Sequence, residues 1–177
     1  MTELETVEET GCDFAGLVRE HQAMVFSIAW HFLHDRGLAE EVAQEVFLRL
    51  HQNVSSIQSE AHAVFWLRKV TAQRAIDESR RRKRRPQVAL ADVAEPAAAA
   101  PARDPMLRET LRRLVAALPE TPRMVTVLRY QEDLDPAEIS EVLGMPVATV
   151  KSHLQRSLAL LRAKLSRRGM GEPGWIG

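Results

Sequence analysis

Between Pro86 and Pro105 the chain reads PQVALADVAEPAAAAPARDP, and no other feature limits the fold as much. The stretch holds four prolines, a run of four alanines and no large aromatic side chain. It has little to bury and reads as a tether, although alanine also favours helix and a short helical turn inside it stays open. A 177-residue chain divided there builds from two small segments, 14–85 and 106–168, with an acidic tail (1–13) before them and a short tail (169–177) after. Segments of that size bury only a modest core each.

Both segments show steps of three and four between apolar residues, which is the helical period, and neither shows sustained alternation. Phe14, Leu17, Val18, Met24, Val25, Ile28, Ala29 and Phe32 predict a helix over 14–33, broken by Asp35-Arg36-Gly37. A second helix is expected over 38–51, with Leu38, Val42, Val46 and Leu50 inward. Residues 52–61 (QNVSSIQSEA) read as a loop. A third helix over 63–84 ends before Pro86. In the second segment Leu107, Leu111, Leu114, Val115 and Leu118 form a helical stripe. Thr121-Pro122 reads as a cap and first-turn proline for the next helix, which carries Met124, Val127 and Leu128, and Asp135-Pro136 reads as another such start. The expected fold is all-α, with two small helical domains joined by a Pro/Ala-rich linker.

Residues 136–158 (PAEISEVLGMPVATVKSHLQRSL) have the layout of a helix-turn-helix. Ile139, Val142 and Leu143 face inward on the first helix, Gly144 supplies a left-handed end, and Met145-Pro146 leads into the second. At 100° per residue, Val147, Val150, Leu154, Leu158 and Leu161 cluster on one side of that second helix. The other side shows Thr149, Ser152 and Arg156, flanked by Lys151, His153 and Gln155. No carboxylate occurs from Val147 to Gly169, whereas a merely solvated face mixes both signs. Short donors and long cations suit phosphate oxygens and base edges in a major groove. The competing reading is an ordinary helical hairpin.

A formal net charge of zero conceals strong segregation. Residues 1–45 hold two Lys/Arg against ten Asp/Glu, and residues 46–85 hold ten against three. Arg80, Arg81, Arg82, Lys83, Arg84 and Arg85 run consecutively at the end of the third helix, where the dipole favours cations but their mutual repulsion does not. Phosphate binding is the preferred reading of that run, and a solvated helix end is its rival. Trp66 is assigned to the core, while Phe65 is left open between core packing and stacking on unpaired bases. Glu41, Gln44 and Glu45 form one polar strip that repels DNA, and it is either solvated or a protein contact. The lone Cys12 excludes an internal disulfide and reads as a reduced thiol. No apolar run reaches the length of a membrane helix, and the acidic start does not look like a secretory signal, so a cytoplasmic protein without membrane insertion is expected. No P-loop, nucleophile triad or metal-ligand spacing is visible, so neither enzymatic activity nor a cofactor or metal is expected.

In these pieces the chain resembles the extracytoplasmic-function (ECF) subfamily of sigma-70-type RNA polymerase sigma factors. DRGLAEEVAQEVFLRLHQNV and FWLRKVTAQRAIDESRRRKRR are similar to the family's region two, and LPETPRMVTVLRYQEDLDPAEISEVLGMPVATVKSHLQRSLALLRAKL to its region four. The resemblance implies core RNA polymerase and promoter DNA as partners, and an anti-sigma factor as regulator. It implies polymerase contacts at Glu41, Gln44, Glu45 and Phe47. It implies capture of the −10 element by the 52–62 loop and by the helix carrying Gln73, Arg74, Arg80 and Arg81. Reading of the −35 element would fall to Lys151, Ser152, Gln155 and Arg156. The chain departs from the family's usual Asn at Gln73, Gly at Ala148 and Arg at His153. The alternative is a stand-alone helix-turn-helix regulator, which needs neither an acidic strip nor a second basic module.

Overall fold

The computed structural model describes residues 13–84 and 105–167, and these contain seven α-helices and no strand. The linker positions 85–104, the tail residues 1–12 and 168–177, and with them Cys12, Arg85 and Trp175, lie outside the described residues. Helix α1 spans Phe14–Leu33, α2 Arg36–Asn53 and α3 Glu60–Arg84, with a 3-10 turn at Val54–Ser56. The second module holds α4 (Pro105–Ala116), α5 (Glu120–Tyr130), α6 (Pro136–Leu143) and α7 (Val147–Arg167). No helix among the described residues is long and apolar enough to cross a membrane.

Local side-chain chemistry sets most of the boundaries. Asp13 accepts the amides of Ala15 and Gly16 and starts α1, and Asp35 accepts that of Leu38 and starts α2. Between them His34 takes a left-handed conformation (φ 53°) that turns the chain in place of a glycine. Helix α3 begins three residues earlier than the apolar pattern predicts, because the Ser59 hydroxyl accepts the His62 amide at 3.2 Å. Thr121 is not the cap of α5. That helix starts at Glu120 behind Pro119, with no side-chain cap, and Thr121 lies inside its first turn.

Leu17, Val25, Ala29, Trp30, Val42, Val46, Leu50, Ala63 and Leu67 form the core of α1–α3, with Trp66 and Phe47 packed at its edge. A smaller cluster of Leu114, Leu161 and Leu165 fastens α4 to α7. The third cluster belongs to both modules. Ile28 and Phe32 of α1 and Ala72 and Ala75 of α3 meet Met124, Val125, Val127 and Leu128 of α5, Leu134, Ile139, Val142, and Val150 of α7. Phe65, open in sequence, packs against this joint core. The two modules therefore sit against one another, with most of the joint apolar and fully buried.

Candidate nucleic-acid interface

The turn between α6 and α7 is built as the sequence suggests. Asp135 accepts the amides of Ala137 and Glu138 while the Glu138 carboxylate accepts the Asp135 amide at 2.7 Å, which closes a capping box at the start of α6. Gly144 ends α6 with φ +63°, and the Ser140 hydroxyl donates to the Met145 carbonyl at 2.6 Å, fixing the exit. Val150 anchors α7 in the joint core. The buried stripe is displaced from the expected one. Val147 is 37% exposed, and the helix buries Val150, Ser157, Leu161 and Leu165, with Leu154 and Leu158 half-buried. Helix α7 begins at Val147, so that residue sits at the open end where no neighbouring turn covers it.

Of the residues assigned to duplex reading, Thr149, Lys151, Gln155 and Arg156 are exposed, and Ser152 and His153 are half-buried beside them. No carboxylate among the described residues pairs with Lys151 or Arg156. Among the described residues this face is a line of donors without acidic partners on a helix anchored by Val150, a form that fits a major groove.

The basic end of α3 is a different surface. Arg80 Nε lies 3.1 Å from Glu120 Oε2 and Lys83 Nζ 3.1 Å from Glu120 Oε1, both reaching across the joint to α5. Buried Ser79 donates to the same carboxylate at 3.2 Å. Arg81 pairs with Glu78 at 2.8 Å and Arg82 with Asp35 at 3.2 Å. Burial raises the pKa of Glu120, yet the hydrogen bonds from Lys83, Arg80 and Ser79 outweigh it and hold the carboxyl below its usual range. Gln73 is exposed, and at 100° per residue it shares the outer face of α3 with Asp77, Arg80 and Arg84. Arg74 is half-buried and holds Glu45 of α2.

On α2, Glu41 and Gln44 are exposed, while Glu45 also approaches Arg49 at 3.6 Å. Phe47 is half-buried against the core of α1–α3, so it supports the strip from below. The residue that sequence reasoning missed is Leu48, 65% exposed. Seven positions after Glu41, it lies on the same face, and an apolar side chain at that interval in a polar strip was the available signal.

Further groups line the joint. Arg123 of α5 donates to the Phe32 carbonyl at 3.2 Å and lies 5.1 Å over the Phe32 ring. Burial raises the Glu132 pKa to about 7, against the lowering effects of Arg68 and a hydrogen bond from Ser27 on the first module. Burial lowers the His34 pKa to about 4, helped by Arg112, Arg123 and His31, with Glu109 opposing.

Comparison with known proteins agrees with this layout. The family model for sigma-70 region 2 matches residues 17–85, and that for sigma-70 region 4 matches residues 108–161. The chain is 29% identical over 169 residues to the ECF RNA polymerase sigma factor SigW of Bacillus subtilis, covering 86% of this chain and 88% of that one. It is 28% identical over 160 residues to the RNA polymerase sigma-H factor of Pseudomonas aeruginosa, covering 80% of each. The fold is similar to that of the sigma factor RpoE of Bartonella quintana, solved in complex with the anti-sigma factor NepR. The TM-score is 0.69 at 16% identity, over 87% of this chain and 97% of that one.

Proposed function

The chain belongs to the sigma-70 family as an ECF sigma factor, and from that premise we propose how its two modules divide promoter recognition. Residues 14–85 bind core RNA polymerase through the α2 strip of Glu41, Gln44 and Glu45, with Phe47 supporting it. The same module holds the −10 element with the 52–62 loop and with Gln73, Arg74, Arg80 and Arg81 of α3. Residues 106–168 read the −35 duplex with Thr149, Lys151, Ser152, His153, Gln155 and Arg156, and the linker over 86–105 joins the two. The observation that carries this reading is the pairing, in one chain, of a carboxylate-free α7 face with a polar, acidic strip on another module. A stand-alone regulator has no use for the second.

The role is one of binding and selection, without a reaction of its own, and it places the protein beside polymerase in the cytoplasm. Strand opening draws on binding energy, since each stacked base returns about 1–3 kcal/mol. An anti-sigma factor as partner is supported by the Bartonella relative, whose structure was determined with one.

Co-sedimentation with core polymerase followed by run-off transcription tests the reading. Arg156→Ala should retain polymerase binding and weaken −35 duplex binding by about 1–3 kcal/mol. Glu41→Lys should do the reverse. Failure of the unmodified protein to associate with core polymerase removes the sigma reading of these surfaces.

A further inference from the structure

The joint between the modules poses a geometric difficulty. Elements named −10 and −35 lie about 25 base pairs apart, or about 85 Å of duplex at 3.4 Å per pair. Helices α3 and α7 both border one core, and α7 with its 21 residues is only about 31 Å long. The arrangement seen here cannot place both modules on a promoter together. The 20 residues between Arg84 and Pro105 span at most about 75 Å when extended, and with the modules' own extent added the chain has the length to separate them.

What must break first is visible at the end of α3. One carboxylate, on the second module, engages Ser79, Arg80 and Lys83 at 3.1–3.2 Å. Two oxygens accepting from a hydroxyl and two cations is what a DNA phosphate offers to such a site. We propose that Glu120 is an internal stand-in for promoter phosphate: it holds Arg80 and Lys83 in the closed arrangement, and DNA gains them only when the modules part. This rests on the reading of α3 as a promoter contact. It adds that the same cations alternate between two anions, one covalently attached. Because Glu120 begins α5, its release from α3 and the departure of the α7 reading head are one movement.

The contact also explains an asymmetry of charge. Among the described residues, a carboxylate pairs with each of Arg80, Arg81, Arg82 and Lys83, but only Glu120 belongs to the other module. Arg81 and Arg82 keep their partners when the modules separate. Arg80 and Lys83 lose theirs. They are thus the cations whose availability reports opening.

The test uses the full chain without polymerase, and a fluorescein-labelled single strand of mixed sequence at low salt as the probe. Glu120→Gln keeps the size and the Ser79 hydrogen bond while removing the charge, and it should bind about three- to tenfold more tightly than the unmodified chain. That gain should vanish when Arg80→Ala and Lys83→Ala are added, and scattering should show the Gln variant expanded. Unchanged affinity, an equal gain without Arg80 and Lys83, or a gain with no expansion each overturns the gate. If circular dichroism shows Glu120→Gln to lose helix, Glu120→Asp takes its place; a smaller gain with the same dependence on both cations is then expected. Loss of polymerase binding would count against the polymerase contact alone, since this measurement contains no polymerase. Run-off transcription unaffected by Arg80→Ala/Lys83→Ala would count against the α3 contact itself.

Discussion

The basic end of α3 and the outer face of α7 are both rich in cations in sequence, and they differ in the folded chain. On α7 the exposed cations Lys151 and Arg156 project from an anchored helix, and among the described residues no carboxylate pairs with them. On α3 four consecutive cations are each held by a carboxylate. The α7 surface is thus complete in the closed protein, whereas that of α3 is satisfied internally. On the proposed reading, the unequal access of the two surfaces implies an order: duplex recognition needs no rearrangement of α7, while strand capture waits on opening.

The largest expected effect comes from the joint core. Phe32 is fully buried, and its ring lies beneath Arg123. Phe32→Ala should lower stability by about 3–5 kcal/mol, measured by urea denaturation. It should also uncouple the modules, so that single-strand binding by α3 rises in whatever fraction remains folded. If stability falls while the two surfaces keep their unequal access, the joint is not what separates them.

A pH series sharpens the comparison with a smaller effect. Glu132 is raised to about 7 by burial, facing Arg68 and Ser27, so its contribution to closure is full below about pH 4.5 and is lost as pH rises through 7. His34 is lowered to about 4 by burial and by Arg112, Arg123 and His31, against Glu109. Its contribution is present above about pH 6.5 and is lost as pH falls toward 4. The two act in opposite directions, and between pH 5 and 6.5 they nearly cancel. Glu132→Gln should therefore make closure weaken on acidification, by up to about 1.4 kcal/mol per pH unit. His34→Asn, which tolerates the left-handed backbone, should make it weaken toward neutral pH. Scattering across pH 5–7.5 reads both, and parallel profiles for the two variants would contradict the compensation.

How much of this was legible beforehand follows from the range of each interaction. Asp135 and Gly144 act within a few residues, so the cap and the left-handed end of α6 could be read directly, while the return bond from Glu138 came with the structure. The outer face of α7 follows from helical period alone. The exposed Val147 marks where period fails, since the neighbours that cover a helix end are not in its own sequence, and the buried Ser157 keeps the period but hides behind a polar side chain. The joint was least legible. Ala72, Ala75 and Ser79 on α3 are small, which lets α5 and α6 approach closely, yet small residues do not name the partner. Glu120 carried no signal of its own beside the expected start at Thr121-Pro122, and its contacts with α3 span about forty positions of chain.

The smallest effect concerns the α7 surface itself, whose readiness depends on the turn before it. Gly144 sits at φ +63° with no atom within 4 Å of where a Cβ would stand. An added methyl group therefore clashes with nothing outside its own residue, and its cost is confined to the left-handed backbone, about 1 kcal/mol. Gly144→Ala should lower stability by that amount, and Gly144→Asn by less, because Asn accepts this conformation more readily. If the turn sets the angle at which α7 meets DNA, Gly144→Ala should weaken −35 duplex binding while leaving strand capture by α3 unaltered. Equal weakening of both would mean that the turn acts through the joint core, which Val150 enters three residues after α7 begins, and that the two surfaces are less independent than their contacts suggest.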